Sequence, residues 1–117
     1  MIITLYGITT CDSCRKARKT LDAQGTPYRY HDLREQGLEE TLLSHLIDLA
    51  GLDALLNTRS TTWRALDADE RQRAKDDETY ARRVMLARPT LLKRPLLDTG
   101  DRLIVGFQKD AYAALSR

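Results

Sequence analysis

The chain has 117 residues, a length that fits one domain with a single core. Hydrophobic residues make up 42% and charged residues 31%, which is typical of a globular protein. The formal net charge is +2, from 19 basic and 17 acidic residues, so charge alone indicates no nucleic-acid or membrane partner. The first residues have neither the basic start nor the long apolar run of a signal peptide, and we expect a cytoplasmic protein.

The first part of the chain predicts a strand, a helix and a second strand. Residues 2–6 form a short β-branched run that predicts a buried strand, and Gly7 is expected to end it. Residues 28–33 alternate enough to predict a second strand. Between them, apolar side chains recur at helical spacing at Cys14, Ala17 and Leu21. A strand–helix–strand unit of this length favours parallel pairing with a right-handed connection.

Helical spacing dominates the middle of the chain. It predicts helices over residues 38–50, 52–56, 68–75 and 79–87. On the last of these helices we expect an inward face of Tyr80, Val84 and Ala87. Pro89 suits the start of one further turn, because proline is favoured at a first helical position.

The end of the chain predicts two strands and a final helix. The strands cover residues 95–98 and 102–106, and residues 99–101 join them as a tight hairpin loop. Asp110 is expected to cap the helix, whose inward residues we expect to be Ala111, Ala114 and Leu115.

The order of these elements predicts an α/β fold of the thioredoxin-like type. A βαβ half is followed by helices and then by a ββα half, which gives a mixed four-stranded sheet with a helical insertion between the halves. No linker rich in proline, glycine or serine separates the helices, so we expect one domain over residues 1–117. The insertion covers about residues 36–92 of that domain.

The two cysteines of the chain, Cys11 and Cys14, lie where the first strand turns into the first helix. Backbone N–H groups at a helix start lack partners and the helix dipole is positive there, so both favour a thiolate at Cys11. Arg15 and Lys16 add positive potential, whereas Asp12 opposes it. We expect Cys11 to be a partly exposed thiol of low pKa that attacks a disulfide.

Cys14 and the histidines leave alternatives open. Cys14 lies one helical turn after Cys11 and can resolve a mixed disulfide formed there, or it can be a small core residue beside Ala17. A zinc site would use both cysteines, but it needs two more ligands. The only histidines, His31 and His45, stand too far apart in sequence for the usual zinc-ligand spacing. We expect no bound metal.

Four segments in a fixed order carry a resemblance to a known family. They are YGITTCDSCRKARKTLDAQGTPY, LLNTRSTTWRAL, RPTLLKRPLL and VGFQKD. Together they resemble the arsenate reductase (ArsC)/Spx family, and most of all its YffB-like branch, over nearly the whole chain. The resemblance implies a thioredoxin-like fold with a helical insertion. It also implies a thiol-disulfide oxidoreductase, because members of the YffB-like branch are regarded as glutathione-dependent thiol reductases.

The resemblance implies roles for individual residues as well. Cys11 takes the place of the family's nucleophile, and Arg59 and Arg94 take the places of two arginines that bind the substrate oxyanion. An arginine stays charged and offers several fixed donors to such an anion. The bond before Pro95 resembles the cis peptide beside the active cysteine of thioredoxin-like folds. We expect Arg15 and Pro95 to contribute to the substrate site too.

Glutathione is the co-substrate that the resemblance implies, with no bound cofactor. Its carboxylates suit Arg59 or Arg94. The expected partner is therefore glutathione or another small thiol or disulfide, with no direct contact to nucleic acid or membrane. We expect a monomer.

Two departures from the arsenate reductases argue against that activity. Those enzymes carry a histidine a few residues before the cysteine, where this chain has Gly-Ile-Thr-Thr at residues 7–10. They carry a third arginine after the last strand, where this chain has Phe107. Losing one charged donor weakens an oxyanion site by about 1.5–3 kcal/mol. Arsenate reduction is therefore kept only as a further alternative.

The Spx branch offers an alternative function of another class. Spx-like proteins are transcriptional regulators that use a C-x-x-C pair as a redox switch and bind the RNA polymerase alpha subunit. Cys11 and Cys14 match that pair. Gly51 aligns with a glycine of the polymerase contact, although a glycine there also suits an ordinary helix end. Trp63, in a segment that resembles the reductase branch, is expected to be a core or groove residue.

Overall fold

The computed structural model describes residues 2–115 of the chain. Its strands are β1 (Thr4–Gly7), β2 (Arg29–Asp32), β3 (Leu96–Asp98) and β4 (Leu103–Val105). Its helices are α1 (Asp12–Ala23), α2 (Glu40–Ala50), α3 (Leu52–Leu55), α4 (Thr61–Ala65), α5 (Ala68–Asp76), α6 (Glu78–Ala87) and α7 (Lys109–Ala114). A 3₁₀ turn follows α6 at Pro89–Leu91.

The described residues form two compact units. The first, named the sheet unit, takes in the chain up to Gln36 and from Arg94 onward, and it holds the four strands with α1 and α7. The second, named the helical unit, is Gly37–Lys93 and holds α2 to α6. The description of the whole chain as one domain stays a prediction. No helix within residues 2–115 has both the length and the apolar character that crossing a membrane requires.

The sheet has the strand order β2-β1-β3-β4. β1 runs parallel to β2, with Thr4 opposite Arg29 and Gly7 opposite Asp32. β3 runs antiparallel to both β1 and β4. A parallel βαβ half and an antiparallel hairpin half therefore make one mixed sheet, which confirms the predicted thioredoxin-like α/β fold. The helices α2 to α6 lie between the two halves along the chain, as predicted.

One apolar cluster forms the core of the sheet unit. Its buried members come from β1, α1, β3, β4 and α7 and are Leu5, Ala17, Leu21, Leu97, Ile104 and Tyr112. Ala17 and Leu21 face inward with Cys14 on α1, as the helical spacing predicts. Burying each large apolar side chain stabilises the fold by about 1.5–3 kcal/mol. The cluster thereby fixes α1, whose first turn carries the cysteines.

The helical unit has its own buried side chains and well-defined helix starts. Its buried residues include Leu43, Leu46, Leu55, Trp63, Leu66, Ala74, Ala81, Met85, Leu91 and Leu92. The burial of Trp63 agrees with its prediction as a core residue. α5 begins with a capping box, in which the side chains of Asp67 and Glu70 each accept a hydrogen bond from the other's backbone N–H.

The inward face predicted for α6 is wrong. Its buried residues are Ala81 and Met85, whereas Tyr80 and Val84 are half-buried and Ala87 is exposed. The buried face starts one residue further along, which turns it by about 100° around the helix axis. Met85 is long and flexible, and side chains of that kind fill irregular space in a core.

The start predicted for the last helix is wrong, and the predicted inward face is right only in part. Ala111 and Leu115 are half-buried and pack against the core of the sheet unit, as predicted. Gln108 is the N-cap of α7, and Asp110 lies within its first turn. Tyr112 is fully buried, while Ala114 is exposed. An aromatic side chain buries far more apolar surface than alanine does, so the core takes Tyr112 and Ala114 turns outward.

Two smaller differences concern a missed helix and the end of a strand. Helix α4 was not predicted from the spacing of apolar residues. Its start is marked by Ser60, whose hydroxyl oxygen accepts a hydrogen bond from the Trp63 backbone N–H at 3.1 Å. The first strand also ends later than predicted. Gly7 is its last residue and pairs with Asp32.

Candidate functional site

The turn over residues 8–11, named the Cys11 turn, connects β1 to α1. The Cys11 backbone N–H donates to the Ile8 carbonyl at 3.0 Å, which closes the turn. Cys11 is the N-cap of α1, and its carbonyl accepts from the Arg15 N–H at 3.0 Å. Thr9 and Thr10 are exposed, and Cys11 is half-buried. The sulfur predicted to react is thus at a helix start and partly accessible.

Hydrogen-bond donors surround the Cys11 sulfur. Burial raises the pKa of Cys11, but hydrogen bonds from the Cys14 backbone N–H, the Cys14 thiol, the Arg94 guanidinium and the Ser13 backbone N–H outweigh it. The pKa of Cys11 therefore lies below its ordinary value, in the predicted direction. A cation and three neutral donors stabilise the thiolate, so the site favours the reactive form of the cysteine.

Cys14 has the opposite character. It is fully buried, and its Sγ accepts the Ile8 backbone N–H at 3.4 Å. Burial, with the neighbouring Cys11 sulfur, raises the pKa of Cys14 to about 12. Cys14 is therefore the thiol that donates to the Cys11 thiolate. Within residues 2–115, no group of three or more histidine, cysteine, aspartate or glutamate side chains is arranged to hold a metal ion.

Gly7 gives the Cys14 sulfur its place beside β1. A Cβ atom at Gly7 would lie 2.7 Å from Cys14 Sγ and 3.2 Å from Cys14 Cβ, with Tyr30 Cε1 at 3.7 Å. A carbon that close to a sulfur overlaps with it, so a side chain at this position would displace Cys14. The residue predicted as a strand breaker is instead a site of close approach.

The loop before β3 brings a cation to Cys11 within the sheet unit. The Arg94–Pro95 peptide bond is cis, as the resemblance implies. Arg94 is half-buried, and its side chain makes a hydrogen bond to the Cys11 sulfur. Pro95 is buried, and its carbonyl accepts from the Gly106 N–H at 2.8 Å. Arg94 is thus the predicted substrate residue that the structure places beside the reactive sulfur.

The other two predicted arginines have different surroundings. Arg15, in the first turn of α1, pairs with the carboxylate of Asp12. Arg59 is an exposed residue of the helical unit, and its backbone N–H donates to Asn57 Oδ1 at 3.0 Å. That bond shapes the turn that precedes α4. The substrate-binding roles of Arg15 and Arg59 stay predictions.

Phe107 stands where the arsenate reductases carry an arginine, and here it packs against the core of the sheet unit. Its ring meets Tyr112 edge-on, with the ring centroids 5.0 Å apart and the planes at 78°. An apolar ring offers no charged donor to an anion. The side chain at position 107 therefore provides no charged hydrogen-bond donor for an oxyanion.

The carboxylate that supports the Cys11 turn was not among the residues predicted from the sequence. Asp32, the last residue of β2, is buried and accepts hydrogen bonds from Thr9. A signal for it was present, because Asp32 falls near the carboxyl end of a strand predicted to run parallel to the strand before Cys11. Such ends meet at one edge of a sheet, where α/β sites form.

Known proteins of similar sequence and structure align with almost the whole chain. Residues 6–115 match the ArsC family. An uncharacterised protein of Haemophilus influenzae is 39% identical over 113 residues, which are 97% of each chain. The solved structure of the YFFB protein is 40% identical, with a TM-score of 0.88 over 98% of this chain and 99% of that one. The global transcriptional regulator Spx of Streptococcus pneumoniae is 29% identical over 115 residues, 97% of this chain and 84% of the regulator.

Proposed function

The chain belongs to the ArsC family, and from that premise we propose that it is a cytoplasmic thiol-disulfide oxidoreductase that uses glutathione. The observation that carries the proposal is the Cys11 sulfur, which is half-buried at a helix start with its pKa lowered by Cys14 and Arg94. A thiolate is the form that attacks disulfides. The similarity to the YFFB protein, at 40% identity, supports the resemblance to the YffB-like branch, whose members are regarded as thiol reductases.

The first step forms a mixed disulfide on Cys11. The Cys11 thiolate attacks the glutathione sulfur of a disulfide between glutathione and a small thiol. The substrate's S–S bond breaks, a new S–S bond joins Cys11 to glutathione, and the small thiol leaves as a thiolate that takes a proton from water. We propose that Arg94, which hydrogen-bonds to the attacking sulfur, also binds a carboxylate of the glutathione.

A second glutathione completes the cycle. Its thiolate attacks the glutathione sulfur on Cys11, which releases glutathione disulfide and restores the Cys11 thiolate. Each turnover oxidises one free glutathione and reduces one mixed disulfide to a free thiol. Cys14 offers another route, in which its sulfur attacks Cys11 and releases glutathione. We expect that route to be the slower one, because Cys14 is fully buried and burial favours its neutral thiol over the thiolate.

Glutathione-linked reduction of a small disulfide tests this function. We expect measurable turnover by the wild type. Mass spectrometry after incubation with oxidised glutathione should show an adduct on Cys11. An internal disulfide between Cys11 and Cys14 without an adduct would indicate a dithiol switch. Absence of both turnover and adduct would contradict the proposal.

Arg59 and Arg94 are proposed to bind the anionic group of the substrate. Arg→Ala at either position should weaken catalysis while the melting temperature stays nearly unchanged. Arg→Lys should recover little, because lysine cannot form the two parallel bonds of a guanidinium. Arg83→Ala is the matched control, since Arg83 is an exposed arginine on α6. Activity equal to the control in both alanine variants would remove the anion-binding role.

A second candidate function is that of a redox-sensing transcriptional regulator. The hydrogen-bonded sulfur pair of Cys11 and Cys14 favours it, together with the similarity to the regulator Spx. This candidate predicts no turnover and redox-dependent binding to the RNA polymerase alpha subunit. A pull-down with oxidised and with reduced protein, run beside the glutathione assay, separates the two functions. Binding without turnover would favour the regulator.

Arsenate reduction is a third candidate that the site supports less. Phe107, at the position of the third arginine of the arsenate reductases, packs against the core and carries no charge. The residues before Cys11 include no histidine that could supply a positive charge in its place. We expect negligible arsenate turnover under conditions in which a small disulfide is reduced. Brisk arsenate turnover would show that two arginines suffice for the oxyanion.

A further inference from the structure

A buried carboxylate supports the Cys11 turn from the neighbouring strand. Asp32 is 5% exposed and ends β2. Its Oδ2 accepts the Thr9 backbone N–H at 3.0 Å and the Thr9 hydroxyl at 2.7 Å. Its Oδ1 accepts the backbone N–H groups of Arg34 and Glu35 at 2.8 and 3.0 Å. One side chain thus joins the turn that leads to Cys11 to the turn that follows β2.

These hydrogen bonds have a fixed direction. Burial raises the pKa of Asp32, but hydrogen bonds from Thr9, Glu35 and Arg34 outweigh it and hold the pKa at about 2. The carboxylate is therefore ionised and only accepts. The Thr9 hydroxyl must donate to Asp32, so the Tyr30 hydroxyl, 3.3 Å from the Thr9 oxygen, must donate to Thr9.

The position of the Cys11 sulfur depends on the shape of this turn. Ile8 is buried and holds the start of the turn by packing, whereas Thr9 and Thr10 are exposed, so packing contributes little to the shape of the middle of the turn. The bond from Cys11 to Ile8 closes the turn, and the bonds from Thr9 to Asp32 anchor it. The donors that lower the pKa of Cys11 stand outside the turn, on α1 and at Arg94. A displaced turn would carry the sulfur away from them.

We propose that Asp32 is a positioning residue for Cys11 and that it acts through Thr9. The inference rests on the proposed function in that Cys11 is taken as the nucleophile. The Asp32 carboxylate binds Thr9 and the backbone after β2, and its effect on the sulfur passes through the turn. The same carboxylate that joins two loops thereby sets the reactivity of a cysteine.

Positioning and direct electrostatics predict opposite changes when Asp32 loses its charge. A negative charge near a cysteine disfavours the thiolate, so removal of the charge alone would lower the pKa of Cys11. Loss of positioning would withdraw hydrogen-bond donors from the thiolate and raise that pKa. A role in stability alone would leave it unchanged. The sign of the shift separates these cases.

Asp32→Asn keeps the size of the side chain and breaks half of its bonds. An amide has one oxygen, so its NH₂ group must face the donors of either Thr9 or the backbone after β2. The rate of iodoacetamide alkylation against pH, with peptide mass spectrometry to separate Cys11 from Cys14, gives the pKa of Cys11. We expect the midpoint to rise by about one pH unit, which lowers the alkylation rate roughly tenfold at a pH below the midpoint.

Asp98→Asn is the matched control. Asp98 is 8% exposed, and its Oδ1 accepts the Gly100 backbone N–H at 2.8 Å. It pairs with Thr4, at the end of β1 opposite to Gly7. We expect the Cys11 midpoint of this variant to equal that of the wild type. An unchanged or lowered midpoint in both Asp32→Asn and Thr9→Val, or an equal rise in Asp32→Asn and Asp98→Asn, would overturn the positioning role.

Thr9→Val keeps the proposal falsifiable if Asp32→Asn does not fold. It removes one hydroxyl donor and preserves the shape of the side chain, so the midpoint should rise by a smaller amount. A folded Thr9→Val protein with the wild-type midpoint would then overturn the proposal. Alkylation needs no disulfide substrate. A raised midpoint in a protein that shows no glutathione turnover would therefore support the positioning role and contradict only the proposed function.

Discussion

Two turns of the sheet unit lie at opposite ends of β1 and are held in different ways. The hairpin turn over residues 99–102 is held locally, because the Thr99 N–H donates to the Arg102 carbonyl at 3.1 Å and the Thr99 hydroxyl donates to Asp101 at 2.7 Å. The Cys11 turn is held from another strand, since Thr9 binds Asp32, a residue 23 positions away in sequence.

The difference shows where the lowered pKa of Cys11 comes from. A locally bonded turn such as the hairpin keeps its bonds whenever a few neighbouring residues are ordered. The Cys11 turn obtains its anchor only when β1 and β2 are paired, with Gly7 opposite Asp32. Its sulfur also obtains a cation from Arg94, which precedes β3. The low pKa of Cys11 is therefore a property of the folded sheet unit and not of the C-x-x-C segment alone.

The largest expected difference between the two turns is in glutathione-linked turnover, which should depend on the Cys11 turn and not on the hairpin. Cys11→Ala should reduce glutathione-linked turnover to the uncatalysed rate, because the remaining thiol, Cys14, is fully buried. Cys14→Ala should lower turnover by about tenfold, since one hydrogen bond to a charged sulfur contributes about 1.5 kcal/mol. Asp98→Asn at the hairpin should leave it unchanged. Initial rates at saturating glutathione measure all three, and a Cys14→Ala protein as inactive as Cys11→Ala would indicate a dithiol mechanism.

The second effect is the pH dependence of stability that Asp32 contributes. Its folded pKa, about 2, lies below the ordinary value of 3.8, so the carboxylate stabilises the fold above that ordinary value and loses this contribution as the pH falls through about 2. The contribution is about 2 kcal/mol at neutral pH. In urea denaturation, the gap in free energy of unfolding between wild type and Asp32→Asn should shrink by about 2 kcal/mol from pH 5 to pH 2. A gap independent of pH would contradict an ionised Asp32 in the folded state.

The contrast between local and distant bonds also explains what the sequence could predict. Each predicted strand and most helices exist in the structure, because their signals are local: β-branched runs, helical spacing, glycine and proline. The position of the proposed nucleophile could be identified in the sequence for the same reason, since Cys11 follows a strand and starts a helix. The resemblance supplied Arg94, whose side chain reaches Cys11 only in the folded sheet unit.

The missed features depend on tertiary contacts. Asp32 and Thr9 are separated by α1, and no local pattern pairs a carboxylate with a threonine across a helix. Gly7 looked like a strand end, but its real constraint is a sulfur that approaches from α1. The prediction for α7 missed Tyr112 and wrongly included Ala114, because the core selects the large aromatic side chain, which spacing among alanines does not reveal.

A methyl group at Gly7 should show how closely Cys14 packs at the Cys11 end of β1. Gly7→Ala places a carbon 2.7 Å from Cys14 Sγ, so it should lower the free energy of unfolding by about 2 kcal/mol. The same substitution in a Cys14→Ala background should cost clearly less, because the sulfur is gone. Urea denaturation of the four proteins in this cycle measures the difference. Equal costs in both backgrounds would mean that strain against the sulfur is not the cause.

The smallest expected effect compares two threonines that make similar bonds. Thr9 and Thr99 each donate a hydroxyl to an aspartate oxygen at 2.7 Å, on Asp32 and Asp101 respectively. Thr9 is exposed and Thr99 is 3% exposed, so the burial of the threonines alone predicts the larger loss at Thr99. The burial of the two acceptors predicts the opposite order, with the larger loss at Thr9. Asp32 is buried, whereas Asp101 is exposed, and water can replace the donor that Asp101 loses.

Thr9→Val should therefore lower the free energy of unfolding by about 1.5 kcal/mol, and Thr99→Val by less than about 1 kcal/mol. The valine at position 99 also adds a methyl group to a buried site, which offsets part of its loss. Thr9→Ser restores the hydroxyl and should retain most of the stability, which isolates the hydrogen bond from the packing. Urea denaturation at neutral pH measures the three variants. A larger loss at Thr99 would show that burial of the donor outweighs burial of the acceptor, and Asp32 would then contribute less to the Cys11 turn than its bonds indicate.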